Sequence, residues 1–353
     1  MTNDTTLEYF GATTFRLRAA GLAIFHDTWL DRPSRMPKWL DINSVTEADY
    51  ILISHAHFDH LPGADKIALN TGAIIIANCE AINRLRDKGV PDDQLVPVSG
   101  GERIPLFTKD VRDAAKSGQV ALRAGPPGAP AEPHHSLAVA DVHIWPSLHC
   151  LIPGTHDTLP DIFDSGTEYA GSATPYDGTL DITRGMKYGL FRLKEIIGEQ
   201  NMDKDTRSFT DWMEDKNENV MSACDGGQLL FNVLIGGKQG GKSKNVLFNG
   251  HLGAYEGIVK EIRPKPDIAV LGIAGRANLN GRPFDGSAAM FATKLVKWMG
   301  EPERVIWCLH DECLIKPYRV DTTAATQAVE ADTRSKVMDL QHGQLYSLFS
   351  EGP

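Results

Sequence analysis

An α/β fold is predicted for this chain, and three observations predict it. Short apolar strands recur through the first third and again after residue 228. Amphipathic helical patterns follow several of them, and Gly or Pro punctuates nearly every junction. With 42% apolar and 23% charged residues over 353 positions, a sizeable core is available, and the composition is far from that of a disordered chain.

In chain order, "LEYFGATTFRLRAAGLAIFHD" reads as three strands separated by glycine turns. "ADYILISHAHFDH" is an apolar strand, Tyr50 to Ile53, ending in a polar cluster. "GAIIIANCEAINRLRDKGV" is a buried strand followed by a helix stopped at Gly89 and Pro91. Residues 125–135 form a Pro/Gly-rich break, and "LAVADVHIWPSLH" then reads as a pair of alternating strands closing at His149. Residues 152–223 are rich in Gly, Asp, Thr and aromatics and include a helical stretch around "SFTDWMEDKNENVM". This segment is read as an insertion that caps a pocket. Strands return in "GGQLLFNVLIGGKQGGKSKNVLFNGHLG" and "PDIAVLGIAG". A helix at "DGSAAMFATKLVKWMG" and the strand "RVIWCLH" follow, and residues 325–353 read as helical. The whole, 1–353, reads as one domain.

Lys and Arg total 36 against 46 Asp and Glu, a net charge of −10. Such a balance disfavours nucleic acid and an anionic membrane as partners and favours a small-molecule substrate. The five cysteines are scattered without a CxxC pair, as expected of reduced thiols. No basic and apolar leader opens the chain, and no apolar run approaches bilayer length. A cytoplasmic location is therefore expected, and homo-oligomerisation stays open.

The chemistry concentrates in "SHAHFDH", residues 54–60, which sets His55, His57, Asp59 and His60 on a loop leaving a buried strand. Imidazole and carboxylate groups so placed suit a borderline divalent ion such as Zn²⁺, with Mn²⁺ or Fe as alternatives.

This H-x-H-x-D-H after a buried strand resembles the signature of the metallo-β-lactamase-fold superfamily. "YFGATTFRL" and "IFHDTWL" resemble the N-terminal hairpins of its branch containing ascorbate-6-phosphate lactonase and phospholipase D-like members. The resemblance runs over 7–150 and 228–312 and leaves 152–223 without a counterpart. It implies an αββα four-layer sandwich carrying an insertion. It also implies one metal site at His55, His57 and His149, and a second at Asp59, His60 and His310. One position departs from the pattern. Where the family has a Gly-Asp whose carboxylate bridges two ions, this chain reads "FNGHLG", with His251 after Gly250. A neutral imidazole ligates one ion and bridges two only as imidazolate, so one or two ions remain open. His251 as a ligand, His251 behind the ligands, and Asn249 or a more distant acid in its place all remain open as well.

"GGKQGGKS", 236–243, matches the phosphate-loop pattern at Gly236, Gly241, Lys242 and Ser243. A phosphate loop opens a helix, whereas "KNVLFNG" follows here, so a hairpin turn is expected. His26, beside Asp27, is a candidate support behind the ligands, and His156 a candidate pocket residue. Phe58 is expected to form an apolar wall, with Trp145, Tyr169, Tyr176, Tyr188 and Trp212 in core or lid. Cys150 and Cys308 read as buried apolar residues.

The resemblance implies a hydrolase of lactamase or lactonase type. In it, a metal-bound hydroxide attacks the carbonyl of a small ring and Asp59 handles the proton. A phosphodiesterase of the N-acyl-phospholipid phospholipase D type and a non-catalytic metal-binding module are the alternatives.

Overall fold

The computed structural model describes residues 5–153, 158–171, 182–215, 217–236 and 243–349. His156, Tyr176, Gly241 and Lys242 lie outside the described residues.

Two seven-stranded sheets form the centre. The first runs Leu345–Ser347, Thr6–Tyr9, Phe15–Ala19, Leu22–His26, Tyr50–Leu52, Ile74–Ala77, Leu95–Pro97. Its first four strands are antiparallel, and the pairs from Leu22–His26 onward are parallel. The second runs Lys336–Val337, Arg304–Cys308, Ile268–Gly272, Lys244–Asn249, Leu229–Ile235, Ala140–Pro146, Arg103–Leu106. It too is half parallel and half antiparallel.

The parallel halves need crossovers, and the helices supply them. Ala64–Thr71 and Cys79–Asp87 cover the first sheet. Glu256–Glu261, Ala288–Trp298 and Thr323–Asp332 cover the second. The apolar residues divide to match. One buried cluster, including Leu17, Ile24, Phe231 and Phe248, fills the space between the sheets. A second joins the first sheet to its helices through Ile51, Ile67, Ile75 and Leu85. A third joins the second sheet to its helices through Leu247, Leu271, Phe291 and Leu295. The result is the expected αββα sandwich.

Two local readings are corrected and a third holds. "LAVADVHIWPSLH" makes one strand, Ala140–Pro146, whose side chains alternate between core and surface, and the chain turns after Pro146. The tail 325–353 is helical only to Asp332. Beyond it, Lys336–Val337 extends the second sheet and Leu345–Ser347 pairs with Thr6–Tyr9 in the first. Short β pieces docking on open edges have no periodicity of their own to read. At "GGKQGGKS", Leu229–Ile235 and Lys244–Asn249 pair antiparallel with Ile235 opposite Lys244, so a hairpin stands where a phosphate loop needs a helix.

The insertion contributes the helices Ile182–Tyr188, Leu193–Ile197 and Lys204–Glu214. Its strand Ile162–Asp164 pairs with Arg319–Asp321, tying it to the segment after the last long strand. No helix among the described residues is long and apolar enough to cross a membrane.

Candidate metal centre

The site gathers at the carboxyl ends of strands from both sheets, where loops are free to present side chains. Tyr50–Leu52 leads into the signature loop. Ala140–Pro146 leads to His149, and Lys244–Asn249 leads to His251. The signature loop is tight: the His60 and Leu61 amides both donate to the His57 carbonyl. It is also anchored from behind, because Ala56 N–H donates to Asp225 and Leu229 N–H donates to Ser54.

Close packing fixes the loop carrying His251. A Cβ on Gly272 would collide with the Gly250 carbonyl and lie 2.7 Å from the His251 nitrogen. A Cβ on Gly253 would strike the Leu148 carbonyl. These two glycines let the His251 loop settle against the end of the neighbouring strand Ile268–Gly272 and against the segment that follows Ala140–Pro146. Asn249, the alternative candidate, has its side-chain amide engaged by neighbouring groups. It accepts from Ser147 Oγ at 2.8 Å and donates to the Gly253 carbonyl at 3.2 Å.

Five histidines meet. Ring centroids lie 3.9 Å apart for His55 and His60, 4.5 Å for His55 and His57, and 3.7 Å for His149 and His251. His57 Nδ1 faces His149 Nε2 at 3.2 Å. Among the described residues three sets could hold an ion: His55, His57 and His149; His55, His60 and His251; and His149, Cys150 and His251. Any two of these sets share a histidine.

Asp59 lines the cavity beside the cluster, 3.4 Å from His60 Nε2, but completes none of the three sets. His310 is not brought in. Leu309 before it has φ 59° and donates its N–H to the Ala12 carbonyl at 2.7 Å. That left-handed turn sends His310 toward the Tyr9 ring, 5.9 Å away, and puts Asp311 and Glu312 on the cavity wall instead.

The nitrogens fit a metal. His55 Nε2, His57 Nε2, His60 Nε2 and both nitrogens of His251 are buried and have no hydrogen-bond partner. Opposite nitrogens are fixed: His149 Nδ1 donates to the Cys150 carbonyl at 2.8 Å, and His55 Nδ1 sits 3.2 Å from Ser54 Oγ. Holding the far nitrogen while the near one stays open is how metal-binding histidines are oriented.

Asp27, legible in sequence only as the neighbour of His26, is the anchor behind the cluster. Its fully buried carboxylate accepts from His60 Nδ1 and Thr13 Oγ1 at 2.7 Å, and from Ser54 N and Oγ at 2.8 Å. The signal was the acid closing strand Leu22–His26, in register beside Tyr50–Leu52. His26 itself stacks on Phe248 at 4.7 Å and contacts the Thr13 carbonyl at 2.9 Å, one layer further back.

Electrostatics follow from burial and crowding. Burial, then the neighbouring rings, pushes His55 and His251 well below the ordinary imidazole value. Burial and His149 take His57 down to about 3. These rings stay neutral at pH 7, the form that ligates. Burial would lower His60 too, but Asp59 and Asp27 outweigh it and raise it to about 10. Burial would raise Asp59, yet His60 holds it at about 2.

A cavity of about 580 Å³ opens from the cluster. Phe58 forms part of its wall, packed edge-on to Trp29 and Phe209 at 5.6 and 5.5 Å. Trp212 packs behind Trp29 and Phe58, whereas Trp145 lies under Arg103 on the second sheet, away from the cavity lining. Among the described residues no tyrosine lines the cavity, and Tyr188 is exposed. Cys308 is buried between the sheets, while Cys150 lines the cavity 3.7 Å from His149 Nδ1.

No family model matches the chain. A UPF0173 metal-dependent hydrolase of Pyrobaculum islandicum is 33% identical over 100 residues, which is 28% of this chain and 44% of that protein. One of Christiangramia forsetii is 36% identical over 83 residues, 24% of this chain and 36% of that one. The chain thus spans less than half the length of these curated relatives. The solved structure of Igni18, described as a novel metallo hydrolase of Ignicoccus hospitalis, aligns with a TM-score of 0.52 at 18% identity. That alignment covers 98% of this chain and 99% of that one, a likeness of fold. The sandwich with histidines at its strand ends is the metallo-β-lactamase fold. The chain shares this fold, and over about a quarter of its length it is similar in sequence to UPF0173 metal-dependent hydrolases.

Proposed function

We propose that the chain is a metal-dependent hydrolase that opens a lactam or lactone, with Zn²⁺ the first choice of metal and Mn²⁺ or Fe as alternatives. One observation carries this reading: five histidines converge, and four of them, His55, His57, His60 and His251, hold buried nitrogens without a hydrogen-bond partner. The relatives named metal-dependent hydrolases support it. His55, His57 and His149, or His55, His60 and His251, would hold the ion. Because any two sets share a histidine, and a neutral imidazole offers one lone pair, one fully ligated ion per chain is proposed. When bound, the ion supplies Lewis acidity that activates water and polarises the carbonyl.

The chain's own residues do the rest. Asp59, ionised at neutral pH and facing the cavity, orients the water and takes its proton for delivery to the leaving group. Asp27 holds His60 through Nδ1. The apolar wall around Phe58 and the insertion excludes bulk water, which strengthens every charge interaction inside.

The test is metal content of protein purified without chelator, followed by turnover of lactones, lactams and bis-p-nitrophenyl phosphate. Protein free of transition metal would sink the enzyme reading, and bound metal with no turnover of any of these would favour the non-catalytic metal-binding module. The apolar cavity also favours a second reading, phosphodiester hydrolysis with a lipid-like substituent. Turnover of the phosphodiester alone would establish it.

A further inference from the structure

Outside the histidine cluster, the cavity is built from aliphatic side chains, and most of them belong to the insertion. Met186 comes from the helix Ile182–Tyr188, Leu190 from the turn after it, and Leu193 and Ile197 from the next helix. Ile315 and Val320 face the same space from the segment after the last long strand, to which the insertion is laced by the Ile162–Asp164 ladder.

Much of the polar lining is already engaged. Asp311 accepts from Tyr9 Oη at 3.1 Å and Ala12 N at 2.6 Å, and pairs with Arg32 at 3.3 Å. Lys316 pairs with Asp161 at 2.8 Å. A cavity of about 580 Å³ falls within the range that encloses drug-sized ligands, and a bare lactam or lactone ring would leave much of it unfilled. Apolar walls hold water poorly, so the unfilled part has no good aqueous occupant. The helices Ile182–Tyr188 and Leu193–Ile197 are short, and Ile196 in the second lines the cavity while 61% exposed. Both helices thus turn apolar side chains toward the cavity.

We infer that the insertion forms a chain-binding pocket, and that the substrate is a carboxylic-acid derivative bearing a straight aliphatic substituent that lies along Met186, Leu190, Leu193 and Ile197. The inference rests on the hydrolase reading for the reacting group and on the cavity alone for the chain. Each buried methylene then improves binding by about fourfold until the pocket is full.

The experiment separates the two. Protein as isolated, with its metal, is loaded with the neutral fluorophore N-phenyl-1-naphthylamine. Straight-chain primary alcohols from butanol to decanol then displace it. In parallel, kcat/KM is measured for γ-lactones with progressively longer alkyl side chains. The expected result is an increase of about fourfold per methylene in alcohol affinity, flattened in Leu193→Trp, which fills the pocket. Leu190→Trp serves the same purpose if the first variant does not fold by circular dichroism. Affinity independent of chain length, or an equal slope in the folded tryptophan variants, overturns the pocket. A steep alcohol slope with no lactone turned over leaves the pocket standing and overturns the lactone reading.

Discussion

Replacing Asp27 with asparagine tests the support behind the metal centre. Oδ2 of Asp27 accepts three hydrogen bonds, from Thr13 Oγ1, Ser54 Oγ and His60 Nδ1, and Oδ1 accepts a fourth from Ser54 N. Asparagine keeps the shape but turns one oxygen into a donor. If its amide replaces Oδ2, three donors face a donor. His60 is then driven to the tautomer protonated at Nε2, the nitrogen that must stay open for a metal. If its amide replaces Oδ1, the Ser54 N–H loses its partner and the negative charge opposite His60 is gone. Either way a buried, hydrogen-bonded charge pair is broken, at a cost of about 3–5 kcal/mol to the metal-free fold. Metal affinity falls about 10–100-fold through misorientation of His60. Urea unfolding of metal-free protein reads the first quantity, and competition with a chromogenic chelator reads the second. Stability within about 1 kcal/mol of the parent together with affinity within twofold would refute the assignment of Asp27.

Asp59→Ala is expected to abolish turnover while leaving metal content intact, since Asp59 completes none of the ligand sets; an unchanged rate would remove it from the mechanism. His251→Asp supplies a carboxylate that can bridge, so metal per chain by mass spectrometry should rise from one to two, and two ions in the parent would defeat the one-ion reading. Gly272→Ala forces a methyl against the Gly250 carbonyl, which should cost about 1–3 kcal/mol and weaken metal binding by displacing His251. For metal-free protein, the pH dependence follows from the histidines. His57, held at about 3, and His55, His149 and His251, all lowered, take up protons more readily when unfolded. Stability should therefore fall as pH drops below about 6.5. His60, raised to about 10, acts oppositely: its stabilisation is complete below about 6.5 and is lost as pH rises through 10. A urea midpoint unchanged between pH 7 and pH 5 would contradict the acid limb, and His60→Gln should remove the alkaline one.

Much of the architecture was legible in the residues. The strand-and-helix rhythm of 50–98 and 244–308 appears in the two parallel half-sheets, because buried parallel strands are apolar runs and their crossovers are amphipathic. The hairpin at "GGKQGGKS" was legible from the strand that follows it. The tail was not, since two- and three-residue strands acquire their conformation from the edges they meet.

At the site, the sequence by itself determined a histidine-rich loop at the end of a buried strand and offered His149 and His251 as strand-end partners. Local spacing suffices there because one loop aims its own side chains. Only the tertiary structure decided which distant groups reach that point. It turned His310 away through the left-handed Leu309, brought His251 in through the close approach allowed at Gly253 and Gly272, and seated Asp27 behind His60. Those outcomes depend on backbone direction and packing between segments far apart in the chain, and no local pattern encodes either.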